Sequence, residues 1–440
     1  MTDAQRSVAP PATNVVSQVD PPNRRRAVMA ATVGHFVEYY DYTVYGYFAA
    51  IIGTHFFPTS DPVASVMAAF AAFALAFAAR PIGGLVFGHF GDRIGRRTVL
   101  SVSILMMGLG SLIIGALPSY AAIGVWAPIL LVFARLMQGF STGGENAGAS
   151  AFLVEYAPAN RRGLATSWQQ FALILALLAG SGVSALLRAT MPEAAFNDWG
   201  WRLPFLLGAL LAAVGLYLRL RLEDTPAFQR LATTSEVARV PIVEAIREHG
   251  RAVLTCGLFY ISPGIASYIL LIYMPTYAST VFGLPASQAL LSNTIALALL
   301  LALIPVLGAL SDRVGRKRLL IIFNAGLVIA TYPLILLFAN GTFTSVLVAQ
   351  LVFAALFAFF FGPGTAMAAE LFPTRVRYTG FAIGNNVATA LFGGTAPFIA
   401  TWLIAGTGNT TSPALMLIAG GLVSLIVVLR MRETSRLPLQ

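Results

Sequence analysis

Five ionisable side chains stand within long segments that are otherwise apolar. They are Glu38, Asp41, Arg80, Arg135 and Glu145. A charged side chain near the centre of a bilayer is costly, so such residues normally face an internal cavity or pair with one another. Arginine can hold a carboxylate through paired hydrogen bonds, and a carboxylic acid can take up and release a proton. These residues therefore predict an internal site that binds protons and a charged small molecule.

Two acids lie close together on the first apolar segment. Glu38 belongs to a set spaced as i, i+3, i+7 and i+10, which shares one helix face, with Asp41 at the edge of that face. That set is His35, Glu38, Tyr42 and Tyr45. We expect at least one of Glu38 and Asp41 to carry a proton near neutral pH. The alternative is that both acids are structural partners of the buried arginines.

The intramembrane arginines indicate how these acids can be used. Arg135, with Gln138 on the next turn, can bind a carboxylate of the solute or one of the two acids. Competition between them would link proton binding to solute binding. The alternative is a permanent salt bridge between two helices. Arg80 either lines the site or pairs with Glu145. The residues assigned to proton coupling are Glu38, Asp41, Arg135 and Glu145.

Aromatic and amide side chains on other segments complete the predicted substrate site. Tyrosines supply ring faces and polar tips, and amides supply hydrogen-bond donors and acceptors. The full set predicted to bind substrate is His35, Tyr39, Tyr42, Tyr45, Arg80, Arg135, Gln138, Gln169, Tyr268, Tyr273, Asn385 and Asn386.

The composition indicates a protein that lies in a bilayer. The chain of 440 residues is 57% apolar and 10% charged, and its mean hydropathy is +0.77. Apolar runs long enough to cross about 30 Å of hydrocarbon recur along it, and in lipid such runs must be helices. We place twelve spans, at 27–50, 64–87, 98–117, 124–147, 163–187, 203–220, 252–275, 287–309, 318–338, 344–367, 378–403 and 412–430. The predicted fold class is an all-α membrane protein.

Basic residues are distributed unequally between the two sides of the membrane. Of the 28 Lys and Arg residues, all but four fall on tails or loops that an even number of helices places on one side. The four exceptions are Arg80, Arg135, Arg188 and Arg202. This asymmetry predicts a multi-pass plasma-membrane protein, in a bacterial inner membrane, with both termini in the cytoplasm. It also explains the net charge of +10 through topology and anionic lipid rather than nucleic acid.

One charged loop occurs twice. The stretch GHFGDRIGRR at 88–97 returns as GALSDRVGRK at 308–317. Such repetition indicates two pseudo-symmetric six-helix bundles around a central cavity. We expect the loops to close the cytoplasmic side in one conformation; the alternative is that they only set topology. The residues assigned to this gate are Gly88, Asp92, Arg93, Gly95, Arg96, Arg97, Glu155, Asp312, Arg313, Arg316 and Glu370.

The boundary between the halves follows from a change in composition after the sixth span. The next stretch mixes Arg, Glu, Thr and Pro, which is typical of a cytoplasmic linker. The predicted units are a disordered tail at 1–26, a six-helix bundle at 27–220, a linker at 221–250, a second bundle at 251–432 and a short tail at 433–440.

These motifs resemble those of the major facilitator superfamily, from about residue 27 to residue 432. Both charged loops match the superfamily's loop signature, and within the superfamily the chain is similar to the metabolite:proton symporter family. The supporting stretches are EYYD at 38–41, RPIGG at 80–84, RLMQGFSTGGE at 135–145, WGWRLPF at 199–205, MPTY at 274–277 and FGGTAP at 392–397. The resemblance implies proton-driven uptake of a dicarboxylate, citrate, shikimate, an aromatic acid, proline or betaine. It also implies that Arg135, on the fourth helix, is the coupling residue.

We therefore predict a proton-coupled symporter of a small carboxylate-bearing metabolite that works by alternating access. The alternative is a symporter of a zwitterion such as proline or betaine, whose carboxylate would satisfy the same arginine. A drug:proton antiporter is less favoured, because two cavity arginines would repel lipophilic cations. A non-transporting membrane sensor would need a signalling appendage, and only a short tail follows the last span.

The expected partners are the small solute, protons and the lipid bilayer. The chain has no nucleophile motif, metal-ligand cluster or P-loop in its sequence. We therefore expect no enzymatic activity, no cofactor and no nucleic acid, and a transporter that functions as a monomer.

Overall fold

The structure of the chain is a computed structural model, which describes residues 21–60, 62–221, 224 and 241–439. Long helices account for most of these residues. The six long helices of the first half are α1 (Pro21–Phe56), α2 (Pro62–Ile94), α3 (Arg96–Ala116), α4 (Trp126–Tyr156), α5 (Arg162–Thr190) and α6 (Leu203–Leu220). Each corresponds to one predicted span. Helix α1 begins within the tail that was predicted to be disordered, and residues 1–20 of that tail lie outside the described residues.

The second half repeats this order, but three of its helices are interrupted. Its long helices are α7 (Gly250–Phe259, Ile261–Ala266, Ser267–Tyr273 and Met274–Phe282), α8 (Ala286–Val314), α9 (Arg316–Phe338), α10 (Phe343–Phe361 and Gly364–Ala369), α11 (Thr374–Val376, Arg377–Ala388, Thr389–Gly393 and Ala396–Thr407) and α12 (Pro413–Arg430). Ser267–Tyr273 and Thr389–Gly393 are π-helical turns. The apolar pattern predicted both spans but neither turn.

Ten of these helices are long and apolar enough to cross a bilayer, judged over the described residues. The remaining two are α1 and α4. Polar side chains interrupt the apolar runs of both helices, including Glu38 and Asp41 on α1 and Arg135 and Glu145 on α4. All four of these side chains are buried. The two helices least suited to lipid therefore carry the predicted proton site and turn it inward.

The helices pack as two six-helix bundles that repeat the same pairings. In the first half α2 packs on α4, α3 on α6 and α1 on α5. In the second half α8 packs on α10, α9 on α12 and α7 on α11. Between the halves, α2 packs on α11 and α5 on α8, which is again a matched pair. The predicted division into two related bundles is thus present in the fold.

Proline explains the π-helical turn of α7. Pro275 has no N–H, so the carbonyl of Leu271 loses its α-helical donor. The N–H of Met274 bonds to the carbonyl of Ile269, five residues earlier, as in a π-helix. Tyr268, a predicted substrate residue, lies within this turn. The turn therefore sets the position of one wall of the predicted site.

Single glycines join α2 to α3 and α8 to α9. Gly95 has a φ of 107° and Gly315 a φ of 99°, a backbone conformation that side chains with a Cβ rarely adopt. These sharp turns allow Asp92 at the end of α2 to meet Arg96 at the start of α3, at 2.9 Å. The glycine spacing of the repeated loop thus has a geometric purpose.

The described part of the linker contacts both bundles. Its helix Pro241–Arg247 packs against α2 and α11. Ala245 is buried with Val376 of α11, and Glu244 forms an ion pair with Arg375. Residues 222–223 and 225–240 of the predicted linker lie outside the described residues.

Glycine allows α2 and α4 to approach closely. A methyl group at Gly139 would overlap the carbonyl of Ala76, and one at Gly83 would overlap the carbonyl of Phe140. Small residues at such contacts let backbones pack against each other inside a membrane, where water supplies no hydrophobic driving force.

We predict that Gly139→Ala destabilises the protein by about 1–3 kcal/mol or more, because the added methyl must push α2 from α4. The measurement is heat-induced loss of the monodisperse peak of the purified protein in detergent. Gly182→Ala is the matched control, since a Cβ at Gly182 meets nothing within 4 Å. Equal melting of the two variants would contradict this packing argument.

Candidate functional site

A buried polar network joins three helices of the first bundle. Arg135 Nη1 donates to Asp41 Oδ2 at 3.2 Å and to Gln138 Oε1 at 2.7 Å. Gln138 Nε2 donates to the same carboxylate at 2.7 Å, and the hydroxyl of Ser111 donates to its other oxygen. Asp41 is thus a fully partnered carboxylate that links α1, α3 and α4. Pairing of this kind is what allows two charges to remain buried.

Aromatic rings cover the rest of the Arg135 guanidinium. Its central carbon lies 4.1 Å from the ring centre of Tyr45, 5.1 Å from that of Tyr42 and 5.2 Å from that of Phe73. The hydroxyl of Tyr45 donates to the carbonyl of Ala69 at 3.0 Å. Tyr45 therefore packs on Arg135 and anchors α2. In this conformation the ring and the hydroxyl of Tyr45 therefore both contact other groups of the protein.

Glu38, one turn from Asp41, is in a different situation. It is 1% exposed, and neither of its carboxylate oxygens has a hydrogen-bond partner among the described residues. The nearest ionisable contact is His35 Nδ1, at 3.7 Å, and both ring nitrogens of that histidine also lack partners. The ring of Tyr39 lies 4.8 Å from the imidazole. A buried carboxylate without partners must be neutralised by a proton or by a ligand.

Arg80 stands between aromatic rings from both bundles. Its central guanidinium carbon lies 4.7 Å from the ring centre of Tyr42 and 4.3 Å from that of Phe77. The ring of Tyr268, on the π turn of α7, lies 6.0 Å from that of Phe77. Glu38 and Tyr268 are within electrostatic reach of Arg80. Arg80 makes no ion pair in the part of the chain that the structure describes.

Glu145 pairs with an arginine that the sequence analysis did not single out. Arg219, in the last turn of α6, forms a buried ion pair with Glu145 and donates to the carbonyl of Leu100. Arg219 lies within the predicted span 203–220, but no partner was predicted for it; a last-turn arginine can fold back into the bundle. The sequence feature that could have revealed this ion pair was Glu145, an acid within the apolar run of α4 that needed a basic partner. Arg80 was predicted either to line the site or to pair with Glu145. Because Glu145 pairs with Arg219 in this conformation, only the first of these two roles is left for Arg80.

The predicted amides hold the two bundles together. Asn146 of α4 donates to Asn385 of α11 at 3.0 Å, and Asn386 donates to the carbonyl of Gly143 at 2.7 Å. Gln169 of α5 donates to the side chain of Asn146 at 2.8 Å. These side chains therefore form a polar seam across the bundle interface rather than a free binding surface.

Tyr273 lies away from the Arg80 cluster. Its hydroxyl accepts from Thr401 of α11 at 3.1 Å, and its ring stacks on Tyr277 with centres 5.7 Å apart. Tyr268 and Tyr273 share one π turn, but only Tyr268 reaches the rings of the first bundle.

The gate residues meet at the end where α2 and α8 finish, which we call the motif end. Asp92 accepts from the backbone N–H groups of Tyr378 and Thr379 at 3.3 and 2.8 Å, where α11 begins. Asp312 accepts from Gly163 and Leu164 at 2.8 and 2.9 Å, where α5 begins. Each aspartate thus caps a helix of the opposite bundle, where the free N–H groups and helix dipole favour an anion.

Two glutamates extend these contacts in a matched way. Glu155 accepts from Arg96 of its own bundle at 3.3 Å and from Arg377 of the other bundle at 2.8 Å. In the second half, Glu370 pairs with Arg316 and, across the interface, with Arg162 at 3.3 Å. The motif end is therefore closed by two equivalent charge networks.

Small residues allow the closure. A Cβ at Gly88 would lie 2.8 Å from the Cα of Thr379, and one at Gly308 would lie 2.6 Å from Ser167. Three predicted gate arginines lie outside the networks. Arg93 and Arg313 are exposed, and Arg97 donates to the carbonyl of Leu220 at 2.6 Å. Their positions suit the alternative role of setting topology.

Comparison with known proteins decides the family. The family model described as sugar (and other) transporter matches residues 27–248, and the Major Facilitator Superfamily model matches residues 286–439. A proline/betaine transporter of Escherichia coli (strain K12) is 36% identical over 445 residues, which cover 99% of this chain and 89% of that protein. The chain belongs to the major facilitator superfamily. It is a multi-pass membrane transporter, and nothing in this relationship suggests an enzyme.

Other relatives agree with this assignment. The glycine betaine/proline/ectoine/pipecolic acid transporter OusA of Dickeya dadantii (strain 3937) is 36% identical over 99% of this chain and 89% of its own length. A structure of the proton:xylose symporter XylE bound to 6-bromo-6-deoxy-D-glucose has a TM-score of 0.79 at 21% identity, covering 94% of this chain and 97% of that one. At this level of identity the similarity to XylE shows the fold alone, and this fold is the one that the sequence predicted.

The C-terminal tail of the transporter joins the second gate network. Glu433 accepts from the backbone N–H groups of Arg316 and Lys317 at 3.1 and 3.0 Å, at the start of α9. Asp224 accepts from the N–H of Arg96 at 3.1 Å at the start of α3, which is the matching position. Beyond Glu433, the carbonyl of Leu437 accepts from Arg162 of the first bundle at 2.9 Å. Residues 433–437 of the predicted tail are therefore bound across the closed motif end.

We predict that Asp92→Ala and Asp312→Ala each favour opening of this transporter at the motif end. Each change removes the anion that caps a helix of the opposite bundle. The measurement is the labelling rate of a single cysteine, Gln170→Cys with Cys256→Ser, by a membrane-impermeant maleimide. Gln170 is buried at the interface, where it donates to Thr365 at 2.9 Å. We expect faster labelling in both variants.

Asp198→Ala, at an exposed position at the end of the short helix Glu193–Asp198, should leave the labelling rate unchanged. Unchanged rates in both gate variants, with normal folding, would mean that the repeated aspartates only set topology.

The Glu433 contact predicts a pH dependence. Burial raises the pKa of Glu433, but the N–H groups of Ser435, Arg316 and Lys317 that donate to it outweigh burial and hold the pKa below its usual range. Its stabilisation is therefore present above the unfolded-state pKa of about 4.3 and is lost as the pH falls through the lower folded-state pKa. We expect Glu433→Gln to lower stability by about 1 kcal/mol at neutral pH.

Melting curves of the wild type and Glu433→Gln should converge only when the pH falls below the lowered folded-state pKa of Glu433, where the wild-type carboxylate is protonated too. Glu193→Gln, at an exposed position, is the matched control. A stability difference that persists at low pH would contradict the charge-based account.

Proposed function

We propose that this transporter takes up a small zwitterion of the proline or betaine type together with a proton, by alternating access. The single observation that carries the proposal is the arrangement around Arg80. This arginine has no ion-pair partner in the described residues, lies against Tyr42 and Phe77, and is close to Glu38, whose carboxylate has no hydrogen-bond partner.

The number of available arginines favours one carboxylate on the solute. Arg135 is engaged by Asp41, and Arg219 is engaged by Glu145. Arg80 is left to bind a solute carboxylate by charge-assisted hydrogen bonds. A dicarboxylate or citrate would need a second free cation at the same place. The dicarboxylate interpretation is therefore less well supported than its zwitterion alternative.

The rings beside Arg80 suit the positive end of such a solute. Tyr42, Phe77 and Tyr268 present aromatic groups from both bundles. Ring faces attract quaternary and secondary ammonium groups through cation–π interactions. A solute bound with its carboxylate on Arg80 and its cation on these rings would contact both bundles. Relatives described as transporters of proline, betaine and ectoine support this solute class.

Glu38 is proposed to carry the coupled proton. When Glu38 is ionised it competes with the solute carboxylate for Arg80, and when it is protonated Arg80 is released to the solute. Proton and solute binding are then mutually favourable, as symport requires. Asp41, in contrast, stays paired with Arg135 and keeps α1, α3 and α4 together. The unpartnered oxygens of Glu38 fit the protonated form in this conformation.

The closed motif end suggests the direction of access in this conformation. If the basic loops face the cytoplasm, as the charge asymmetry predicts, the cytoplasmic side is sealed and the solute enters from outside. Release would then require both charge networks at the motif end to open.

We predict that Glu38→Gln retains exchange of labelled solute but loses proton-driven accumulation, because glutamine resembles the protonated acid and cannot release a proton. Arg80→Ala should raise the KM about 10- to 100-fold, since it removes a charged hydrogen bond to the solute. The measurement uses proteoliposomes with acid outside and radiolabelled proline, betaine, citrate and a dicarboxylate. Each solute is tested with and without a protonophore.

Glu193→Gln and Arg251→Ala, both at exposed positions, are matched controls for loss of charge outside the site. Accumulation of citrate or a dicarboxylate instead of the zwitterions would contradict the proposed solute class and favour the symporter of a carboxylate-bearing metabolite that the sequence predicted. Accumulation that follows sodium rather than protons, or normal accumulation by Glu38→Gln, would contradict the proposed coupling.

A further inference from the structure

A small cavity lies within the second bundle, between α7, α8 and α10. Its volume is about 10 Å³. Apolar side chains form most of its wall, but one amide reaches it from α8 and another from α10. The residues that line it are Leu270, Leu271, Met274, Asn293, Ala296, Leu297, Gln350, Phe353, Ala354 and Phe357.

The amide on α10 has no hydrogen-bond partner in the part of the chain that the structure describes. Gln350 is 2% exposed, and neither its amide nitrogen nor its amide oxygen makes a hydrogen bond. Unpaired amides are rare in protein interiors, where nearly all buried polar groups bind protein or ordered water. In a membrane helix such a group is especially costly, because lipid offers no replacement. Gln350 therefore needs a ligand that the protein itself does not supply.

The backbone of α7 brings further polar groups to the same cavity. The N–H of Met274 bonds to Ile269, and Pro275 has no N–H, so α7 offers the carbonyl of Leu270 no donor at either the α- or the π-helical position. The carbonyl of Leu271 has lost its α-helical donor for the same reason. Asn293 Nδ2 reaches it with a long contact of 3.4 Å.

We propose that this cavity holds one ordered water molecule. The volume is close to the roughly 10–15 Å³ that one water needs, and the wall offers the two to four polar partners that a buried water uses. The water would bind the amide of Gln350, the side chain of Asn293 and a carbonyl freed by Pro275. No charged side chain lines the cavity, so a neutral ligand fits better than a metal ion.

This water would fix the π-helical turn of α7. The turn leaves the carbonyl of Leu270 without a helical donor, and the water ties the turn to α8 and α10 through Asn293 and Gln350. Tyr268 lies in the same turn and faces Phe77 of the other bundle. The water site itself does not depend on the proposed solute.

The first test is a double-mutant comparison of thermal stability in detergent. Gln350→Met and Asn293→Leu each leave the other polar groups of the cavity unpaired, so each should lower Tm by a few degrees. The double variant, which removes both amides, should lose less than the sum of the two. Thr331→Val is the matched control, because its buried hydroxyl also lacks a partner but does not line the cavity. Its effect should add to that of Gln350→Met.

Strict additivity of Gln350→Met and Asn293→Leu would overturn the shared water. The second test is a structure of the wild type at a resolution that shows ordered water, which also decides the matter if a variant fails to fold. We expect one density feature within hydrogen-bond distance of both amides, and an empty cavity would overturn the proposal. A wild-type Tm that rises in sodium chloride but not in choline chloride would indicate a cation instead, which also overturns it.

Discussion

The fold depends on one constraint, which is that a charge or backbone group inside a bilayer must find its partner within the protein. The constraint decides which helices touch. Asp41 joins α1, α3 and α4 because its carboxylate takes donors from Ser111, Gln138 and Arg135. Glu145 recruits α6 in the same way through Arg219. Apolar packing would tolerate several arrangements of these helices, whereas these pairs permit few.

The same constraint makes the motif end suitable as a gate. Each capping aspartate binds backbone N–H groups at the start of a helix in the other bundle, where the helix itself supplies no acceptor. When the bundles separate, the carboxylate and these N–H groups lose their hydrogen bonds unless water takes the place of the lost partner. Glu155 and Glu370 each bind two arginines, one from each bundle. The contacts within a bundle are thereby coupled to the contacts between bundles. Such an interface opens as a unit rather than gradually, as expected of an element with two discrete states.

Much of this arrangement could be predicted from the sequence, because apolar length, basic-residue asymmetry and the repeated loop are local signals. They indicated twelve helices, two related bundles and the aspartates as members of a gate. The partners could not be predicted, since a pair such as Glu145 with Arg219 depends on which helices meet. The π-helical turn of α7 was missed for another reason. Pro275 was visible, but whether proline bends, breaks or shifts a helix depends on the groups that replace its missing donor, here Asn293 of α8.

Helix α4 connects the proposed site to the gate. It carries Arg135 in the site, Asn146 at the bundle seam and Glu155 at the motif end, and both of the latter bind α11 across the interface. A helix of this length is stiff, so a shift at Arg135 must move Glu155 or bend the helix. Under the proposed function, a solute that draws α7 toward Arg80 of α2 would also shift α4, which packs on α2. The contacts of α4 with α11 at the seam and at the motif end would then have to change together.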